Sequence, residues 1–213
     1  MTKQQTKNRL AMTLKQIAIA GLLSVTSVGA IFIVSSDVIF NHENKLSSEE
    51  IMKRDFIKRL VPVVQDVYED YGVLPSISLS QAILESDWGR STLAQKHYNL
   101  YGVKAYGNTP KANLKTKEFQ DGKWVTINAD FRAYNSWRES VVDHANLMVN
   151  GVNWDRDLYQ GVVAAKDYKQ AANALQRAGY ATDPTYIDKL IQLIEKYELQ
   201  QYDQLPNDIA IDQ

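Results

Sequence analysis

Residues 80–91 read SQAILESDWGRS, and this stretch carries the clearest sign of chemistry in the 213-residue chain. On a helix, Leu79, Ile83 and Ser86 share one face. Glu85 lies about 100° from that stripe, with Gln81 and Trp88 as its i−4 and i+3 neighbours. A carboxyl group at the edge of an apolar face, beside an indole, should resist ionisation because burial disfavours the charge. An acid that protonates a glycosidic oxygen needs this resistance to ionisation, because it must still hold its proton when it reaches that oxygen. Periodicity alone also allows a solvated helix carboxylate.

A second carboxylate lies on a predicted β-hairpin. Two segments whose residues favour β-strands flank Asp121-Gly122, a pair suited to a type I′ turn. With a two-residue loop, Gln120 faces Lys123 and Glu118 faces Val125. Glu118 then lies on a largely apolar face, which makes sense if the hairpin overhangs a cleft. This register makes Glu118 the second candidate.

Composition restricts the classes of chemistry. The chain has no cysteine, and its three histidines lack metal-ligand spacing, so we expect no metal site and no cofactor. Four of the 24 basic residues and none of the 25 acidic ones lie in residues 1–16, so the remainder carries a net charge of −5. That balance argues against a nucleic-acid partner.

The N-terminal region predicts a membrane anchor. An apolar run extends from Ile17 to Val34, and no charged residue lies between Lys15 and Asp37. Eighteen helical residues span about 27 Å, close to the ~30 Å hydrocarbon core of a bilayer. We therefore expect a basic cytoplasmic segment at 1–16 and a single-pass signal-anchor helix at 17–36, with the rest extracytoplasmic. The alternative is a signal peptide cleaved near Val28-Gly29-Ala30, which would release a secreted protein.

The remainder predicts one mainly α-helical domain with a single hairpin. A linker at 37–47 precedes the domain at 48–200, and a loose tail follows at 201–213. Ser-x-x-Glu capping boxes open the first helix at Ser47 and another at Ser136. Three other predicted helices cover 79–88, capped by Ser78, then 91–98, starting at Ser91, and 168–178. A last helix has Asp183 as its N-cap and Pro184 as its first residue, and it ends near 199.

Four motifs in order carry a family resemblance: AILESDWGRS at 82–91, NLYGVK at 99–104, FRAY at 131–134 and GYATDP at 179–184. The set resembles the glucosaminidase domain of bacterial autolysins and flagellar peptidoglycan hydrolases, glycoside hydrolase family 73, over roughly residues 50–200. The resemblance implies a lysozyme-like, two-lobed helical fold with a groove and a hairpin. It also implies an endo-β-N-acetylglucosaminidase that cuts peptidoglycan strands after N-acetylglucosamine.

The resemblance also implies roles for individual residues. Glu85 matches the family's general acid. Glu118, in the context Thr116-Lys117-Glu118-Phe119, matches its second carboxylate, and Tyr180 matches the tyrosine of the GYATDP motif. Glu118 would activate water or support an oxocarbenium-like transition state. In a third route the substrate's own N-acetyl group is the nucleophile, held by Tyr180 or Glu118.

Four further residues are candidate substrate contacts: Trp88, Asn99, Tyr101 and Tyr134. Trp88 and Tyr101 could equally fill the hinge between lobes, and Asn99 could cap a loop. Tyr186 is expected to serve packing, because it occupies a core-compatible helix position.

Three functional alternatives stay open at this point. The same fold could act as a muramidase or lytic transglycosylase on the other linkage. It could also bind glycan as a non-catalytic scaffold, although a binder needs neither Glu85 nor Glu118. The predicted anchor could in addition pair with a membrane-protein partner that the sequence does not identify.

Overall fold

The computed structural model describes residues 46–120 and 123–204, without the side chains of 117–120 and 124. The basic segment 1–16, the predicted span 17–36 and the linker up to residue 45 lie outside the described residues. Within the described ranges, no helix is both long and apolar enough to cross a membrane. The anchor therefore stays a prediction.

Seven α-helices and one antiparallel hairpin make up the described chain, which confirms a mainly α-helical domain with one hairpin. The elements are α1 (Ser48–Tyr71), α2 (Pro75–Ser86), α3 (Thr92–His97), β1 (Lys111–Gln120), β2 (Lys123–Arg132), α4 (Trp137–Asn150), α5 (Gln160–Val163), α6 (Tyr168–Arg177) and α7 (Tyr186–Lys196), followed by a 3₁₀ helix (Leu199–Asp203). The division into two lobes stays a prediction.

Serine caps fix the start of three helices as predicted. The Ser47 hydroxyl accepts a hydrogen bond from the Glu50 amide at 3.1 Å, at the start of α1. Ser91 accepts from the Ala94 amide at the start of α3, also at 3.1 Å. Ser136 caps α4 in the same way. These hydroxyls satisfy amides that have no partner within the first helical turn.

Two predicted helix starts are wrong, one because of a proline and the other because of a turn. Helix α2 begins at Pro75, not at 79, because proline suits the first helical turn; Ser78 is buried inside the helix. Helix α7 begins at Tyr186, two residues after the predicted Pro184. Asp183 instead accepts from the Thr185 amide and hydroxyl, both at 2.8 Å, in a turn that precedes the helix.

The hairpin has the predicted register. Gln120 pairs with Lys123 and Glu118 with Val125. The segment after α3 holds its base, since the Ala105 amide donates to Asp130 O and the Arg132 amide to Val103 O, both at 2.9 Å. The hairpin is therefore anchored beside the NLYGVK motif.

Helix α2 lies at the centre of the core. Eleven of its twelve residues are buried, Leu84 being half-buried. It packs against α1, α6, α7 and the 3₁₀ helix. Its buried apolar residues join a single cluster that also includes Leu60 of α1 and Leu190 of α7. Burial on all sides explains why polar α2 side chains become sequestered in the core.

The C-terminal boundary of the domain lies beyond the predicted residue 200. In the 3₁₀ helix, the Asp203 carboxylate accepts from the Ser76 amide at 2.8 Å and from the Ser76 hydroxyl at 2.7 Å. The start of α2 is buried, so its free amides need a protein acceptor. Residues 201–203 are therefore part of the packed domain and not of a loose tail.

Candidate active site

Glu85 is a buried carboxyl group in the last turn of α2. It is 5% exposed, and neither carboxyl oxygen has a hydrogen-bond partner of ordinary geometry. Burial raises the pKa of this carboxyl from 4.5 to about 8, and the Tyr186 hydroxyl, which favours the ionised form, offsets only part of that rise. Glu85 is therefore protonated at neutral pH, as a general acid must be before it acts.

Aromatic side chains from distant parts of the chain surround this carboxyl. Tyr180 stacks on Tyr186 with ring centres 5.7 Å apart, and Tyr159 contacts Tyr180 edge-on at 6.0 Å. Burial, and then the charge of Glu85, raise the pKa of both Tyr180 and Tyr186. The structure thus brings Tyr180 into the surroundings of Glu85.

Gln81 links α2 to this aromatic group. Its Nε2 donates to the Tyr186 Oη at 3.1 Å, and its Oε1 is buried without a partner. Gln81 lies one turn before Glu85, as the helical spacing predicts. Tyr186, which we expected to serve only packing, has its hydroxyl beside the acid.

Two residues near the site were missed by the sequence analysis, His144 and Tyr159. The His144 ring stacks on Tyr101 with centres 3.9 Å apart, and its Nε2 lies 3.3 Å from the Tyr180 Oη. Its position among Val141, Ala145 and Met148 on the buried face of α4 is a periodicity signal that could have identified it. The Tyr159 hydroxyl is buried without a partner, and no pattern in the sequence indicates it.

Trp88 does not lie one helical turn from Glu85. Helix α2 ends at Ser86, and Asp87 and Trp88 both adopt left-handed backbone conformations. The indole therefore turns away to pack edge-on against Tyr197, with ring centres 4.9 Å apart, and Phe56. The raised pKa of Glu85 arises from burial, not from this indole.

Trp88 instead lines a surface groove of about 740 Å³. Phe56, Tyr98 and Trp137 contribute further aromatic surface to it, and Glu85 is not among the lining residues. Both roles considered for Trp88, packing and groove lining, are compatible with this position.

Asn99 and Tyr134 hold neighbouring segments together. The Asn99 side-chain amide donates to Val103 O at 3.0 Å and to Arg132 O at 2.9 Å. The Tyr134 hydroxyl donates to Asp143 of α4 at 2.6 Å, and Arg132 pairs with the same carboxylate. These contacts give both residues a structural role at the base of the hairpin.

Tyr101 and Glu118 complete the candidates from the sequence. Tyr101 is 2% exposed, stacks on His144 and has a buried hydroxyl without a partner. The Glu118 backbone is in β1 opposite Val125, but its side chain lies outside the described residues. Among the side chains that the structure describes, no three acidic or histidine groups are arranged to hold a metal ion.

Comparisons with known proteins agree on one family. Residues 61–199 match the glucosaminidase family, described as mannosyl-glycoprotein endo-beta-N-acetylglucosaminidase. The chain is 45% identical to the exo-glucosaminidase LytG of Bacillus subtilis (strain 168) over 83% of this chain and 63% of the relative. It is 34% identical to the peptidoglycan hydrolase FlgJ of Escherichia coli (strain K12), over 77% of this chain and 52% of the relative.

A solved structure agrees with these sequence matches. The catalytic domain of the autolysin Auto from Listeria monocytogenes aligns with a TM-score of 0.65 and 33% identity, covering 95% of this chain and 98% of that domain. The chain spans less than two thirds of the length of the two curated relatives.

Proposed function

Because this chain belongs to the glucosaminidase family, we propose that it is a glycoside hydrolase that cleaves peptidoglycan strands after N-acetylglucosamine. The observation that carries this proposal is the buried Glu85 carboxyl, whose pKa of about 8 keeps it protonated at neutral pH. A carboxylic acid that holds its proton is what protonation of a glycosidic oxygen requires. A glycan-binding scaffold has no use for such a buried, protonated acid.

In the proposed first step, Glu85 transfers its proton to the glycosidic oxygen as the bond from that oxygen to the anomeric carbon breaks. The released sugar gains a hydroxyl group, and Glu85 becomes a carboxylate. Water then adds to the anomeric carbon, and the proton that this water loses can restore Glu85. Since Glu85 is 5% exposed in the free protein, the side chains that cover it must move when substrate enters.

Glu118 is proposed as the second carboxylate. It would activate the water or support the positive charge that develops at the anomeric carbon. In the substrate-assisted route, Tyr180 would instead hold the N-acetyl group, and its position in the aromatic group around Glu85 supports that role. A separation of about 5 Å between the Glu85 and Glu118 carboxyls favours retention, and about 6.5–9.5 Å favours inversion.

Trp88 and Tyr101 are proposed as the main sugar contacts. Trp88 offers half-buried aromatic surface in the 740 Å³ groove, and Tyr101, stacked on His144, presents an unpartnered hydroxyl. Tyr134 and Asn99 would act through the hairpin base that they hold, because their polar atoms are already engaged there.

The proposed location is outside the cytoplasm, with residues 17–36 as a single-pass anchor. The basic flank at 1–16 and the uncharged apolar run support this orientation. A tether of this kind would restrict the enzyme to glycan strands close to the membrane.

The test is a digest of bacterial peptidoglycan with the full chain, followed by borohydride reduction and mass spectrometry of the fragments. We expect reduced glucosamine ends with the wild type and with Glu49→Gln, and none with Glu85→Gln. Glu49 is a suitable control because it is an exposed carboxylate in the first turn of α1. Reduced or anhydro-muramic ends would contradict the proposed linkage, and glycan binding without new ends would support the scaffold.

The same digest distinguishes internal from terminal cleavage. We propose internal cleavage, which shortens long strands early in the reaction. The similarity to an exo-glucosaminidase makes the opposite result informative, because release of small products from otherwise intact strands would establish exo action. Full activity of Glu118→Gln would favour a transglycosylase, which has no need for that carboxylate.

A further inference from the structure

His144 is a buried imidazole that no step above uses. It lies in the middle of α4 with no exposed surface. The Tyr101 ring stacks on it almost in parallel, with a 10° angle between the rings, and Tyr180 meets its edge at 80°. Its Nε2 lies 3.3 Å from the Tyr180 Oη, and its Nδ1 is buried without a partner. The ring is therefore fixed on one face and at one nitrogen.

The imidazole is neutral at neutral pH. Burial lowers the pKa of His144 from 6.5 to about 3, since there is no solvent to stabilise a positive charge. A neutral imidazole carries one N–H group, on either Nδ1 or Nε2, and the hydrogen bonds around the ring determine which.

The two tautomers differ in which atom is left without a partner. With the proton on Nδ1, a buried N–H donor has no acceptor, and Tyr180 must give its own proton to Nε2. With the proton on Nε2, that N–H donates to the Tyr180 Oη. The Nδ1 lone pair is then unpaired, and the Tyr180 O–H is released but can rotate toward another acceptor, whereas an Nδ1–H would be fixed in the plane of the ring. Buried N–H groups without an acceptor are rarer in proteins than unpaired acceptors, so the second arrangement is favoured.

We propose that His144 is a positioning residue whose Nε2–H donates to Tyr180, which frees the Tyr180 hydroxyl proton for an acceptor oxygen of the substrate. Tyr101 fixes the plane of the imidazole by stacking, and the imidazole fixes the direction of the hydroxyl. The chemical group this arrangement suits is a carbonyl oxygen such as that of an N-acetyl group. The inference rests on the proposed function of the site, because it concerns how Tyr180 meets substrate.

The first test needs no substrate. Long-range proton–nitrogen NMR spectra of the full chain, labelled with ¹⁵N-histidine, distinguish the two neutral tautomers and the charged form. His42→Gln and His97→Gln identify the other two signal sets, so His144 itself stays intact. We expect an Nε2–H pattern for His144 that does not change between pH 5 and pH 8. An Nδ1–H pattern, or titration in this range, would overturn the proposal.

The second test compares two replacements of His144. His144→Gln keeps an amide donor near the Nε2 position, whereas His144→Phe keeps the stacking on Tyr101 and removes the donor. We expect His144→Phe to lower kcat about tenfold with little change in KM, and His144→Gln to recover most of that loss. Thermal unfolding of both variants monitors the fold.

A double variant separates positioning from packing. If His144 acts through Tyr180, His144→Phe combined with Tyr180→Phe should be no slower than Tyr180→Phe alone. Independent, multiplicative losses, or a wild-type kcat for His144→Phe, would contradict the proposal. If the wild type releases no sugar ends at all, the proposed function fails, and the tautomer spectrum still decides the hydrogen bond of His144.

Discussion

At the scale of single residues, Glu85 is a group whose burial costs stability. Between pH 4.5 and about 8 the folded protein keeps a proton that the unfolded chain releases. The free energy of unfolding therefore falls by about 1.4 kcal/mol for each unit by which the pH rises in this window. A residue needed only for packing would have no reason to be a buried acid, so this cost favours a chemical role.

Replacement of this acid by its neutral isostere should raise the free energy of unfolding at neutral pH relative to wild type. From pH 4 to pH 7, Glu85→Gln should gain up to about 3 kcal/mol of unfolding free energy relative to wild type, because Gln releases no proton. Denaturant unfolding at both pH values measures this gain. In the control Glu49→Gln the change should have the opposite sign, since Lys53 lowers the pKa of Glu49. If the unfolding free energy of Glu85→Gln differs from that of wild type by the same amount at pH 4 and pH 7, Glu85 is ionised in the folded state at pH 7.

At the scale of elements, the turn that ends α2 determines which side chains lie beside Glu85. The Ser86 hydroxyl accepts from the Gly89 amide at 2.7 Å and donates to Ala82 O at 2.5 Å. Gly89 has φ +73°, and a Cβ there would lie 2.8 Å from the Phe56 ring. The glycine is required both by its backbone conformation and by this close approach.

This close approach predicts a large difference between two glycines. Gly89→Ala should destabilise the fold by more than about 2 kcal/mol, because it combines left-handed strain with a clash against Phe56. Gly107→Ala has a similar φ of +67° but open space around its Cβ, so it should lose only about 1 kcal/mol. Thermal unfolding of the two variants measures the difference, and equal losses would show that Phe56 moves aside without cost.

Element boundaries were predictable where a local hydrogen bond fixes them. The caps at Ser47, Ser91 and Ser136 depend on residues three positions apart, so the sequence contains all of the information. The starts of α2 and α7 were not predictable in this way. Pro75 fits either the end of one helix or the first turn of the next, and the burial of α2 decides between them.

At the scale of the whole molecule, Asp203 joins the C-terminal 3₁₀ helix to the start of α2. Asp203→Ala should destabilise the fold by about 1–3 kcal/mol, because it leaves the buried Ser76 amide and hydroxyl without an acceptor. Asp203→Asn keeps one acceptor oxygen and should lose less. Denaturant unfolding measures both losses, and wild-type stability of the alanine variant would mean that water replaces the carboxylate.

In the site, as at the helix boundaries, local features could be predicted from the sequence and contacts between distant residues could not. Glu85 could be identified from its own helix and motif, and its raised pKa was predicted from burial. Its actual neighbours, Tyr180 and Tyr186, lie about a hundred residues away. Tyr186 reaches it through the packing of α7 on α2, and Tyr180 lies in the segment between α6 and α7. Trp88 is adjacent in sequence but is directed elsewhere by two left-handed residues, which helical periodicity does not predict.

The most direct test of Glu85 as the general acid is a ¹³C NMR titration of its carboxyl in the full chain, with Glu85→Gln to identify the signal. We expect a midpoint near pH 8, so that the group is protonated when it meets the glycosidic oxygen at neutral pH. A midpoint near 4.5, the ordinary value for glutamic acid, would contradict the assignment of Glu85 as the general acid.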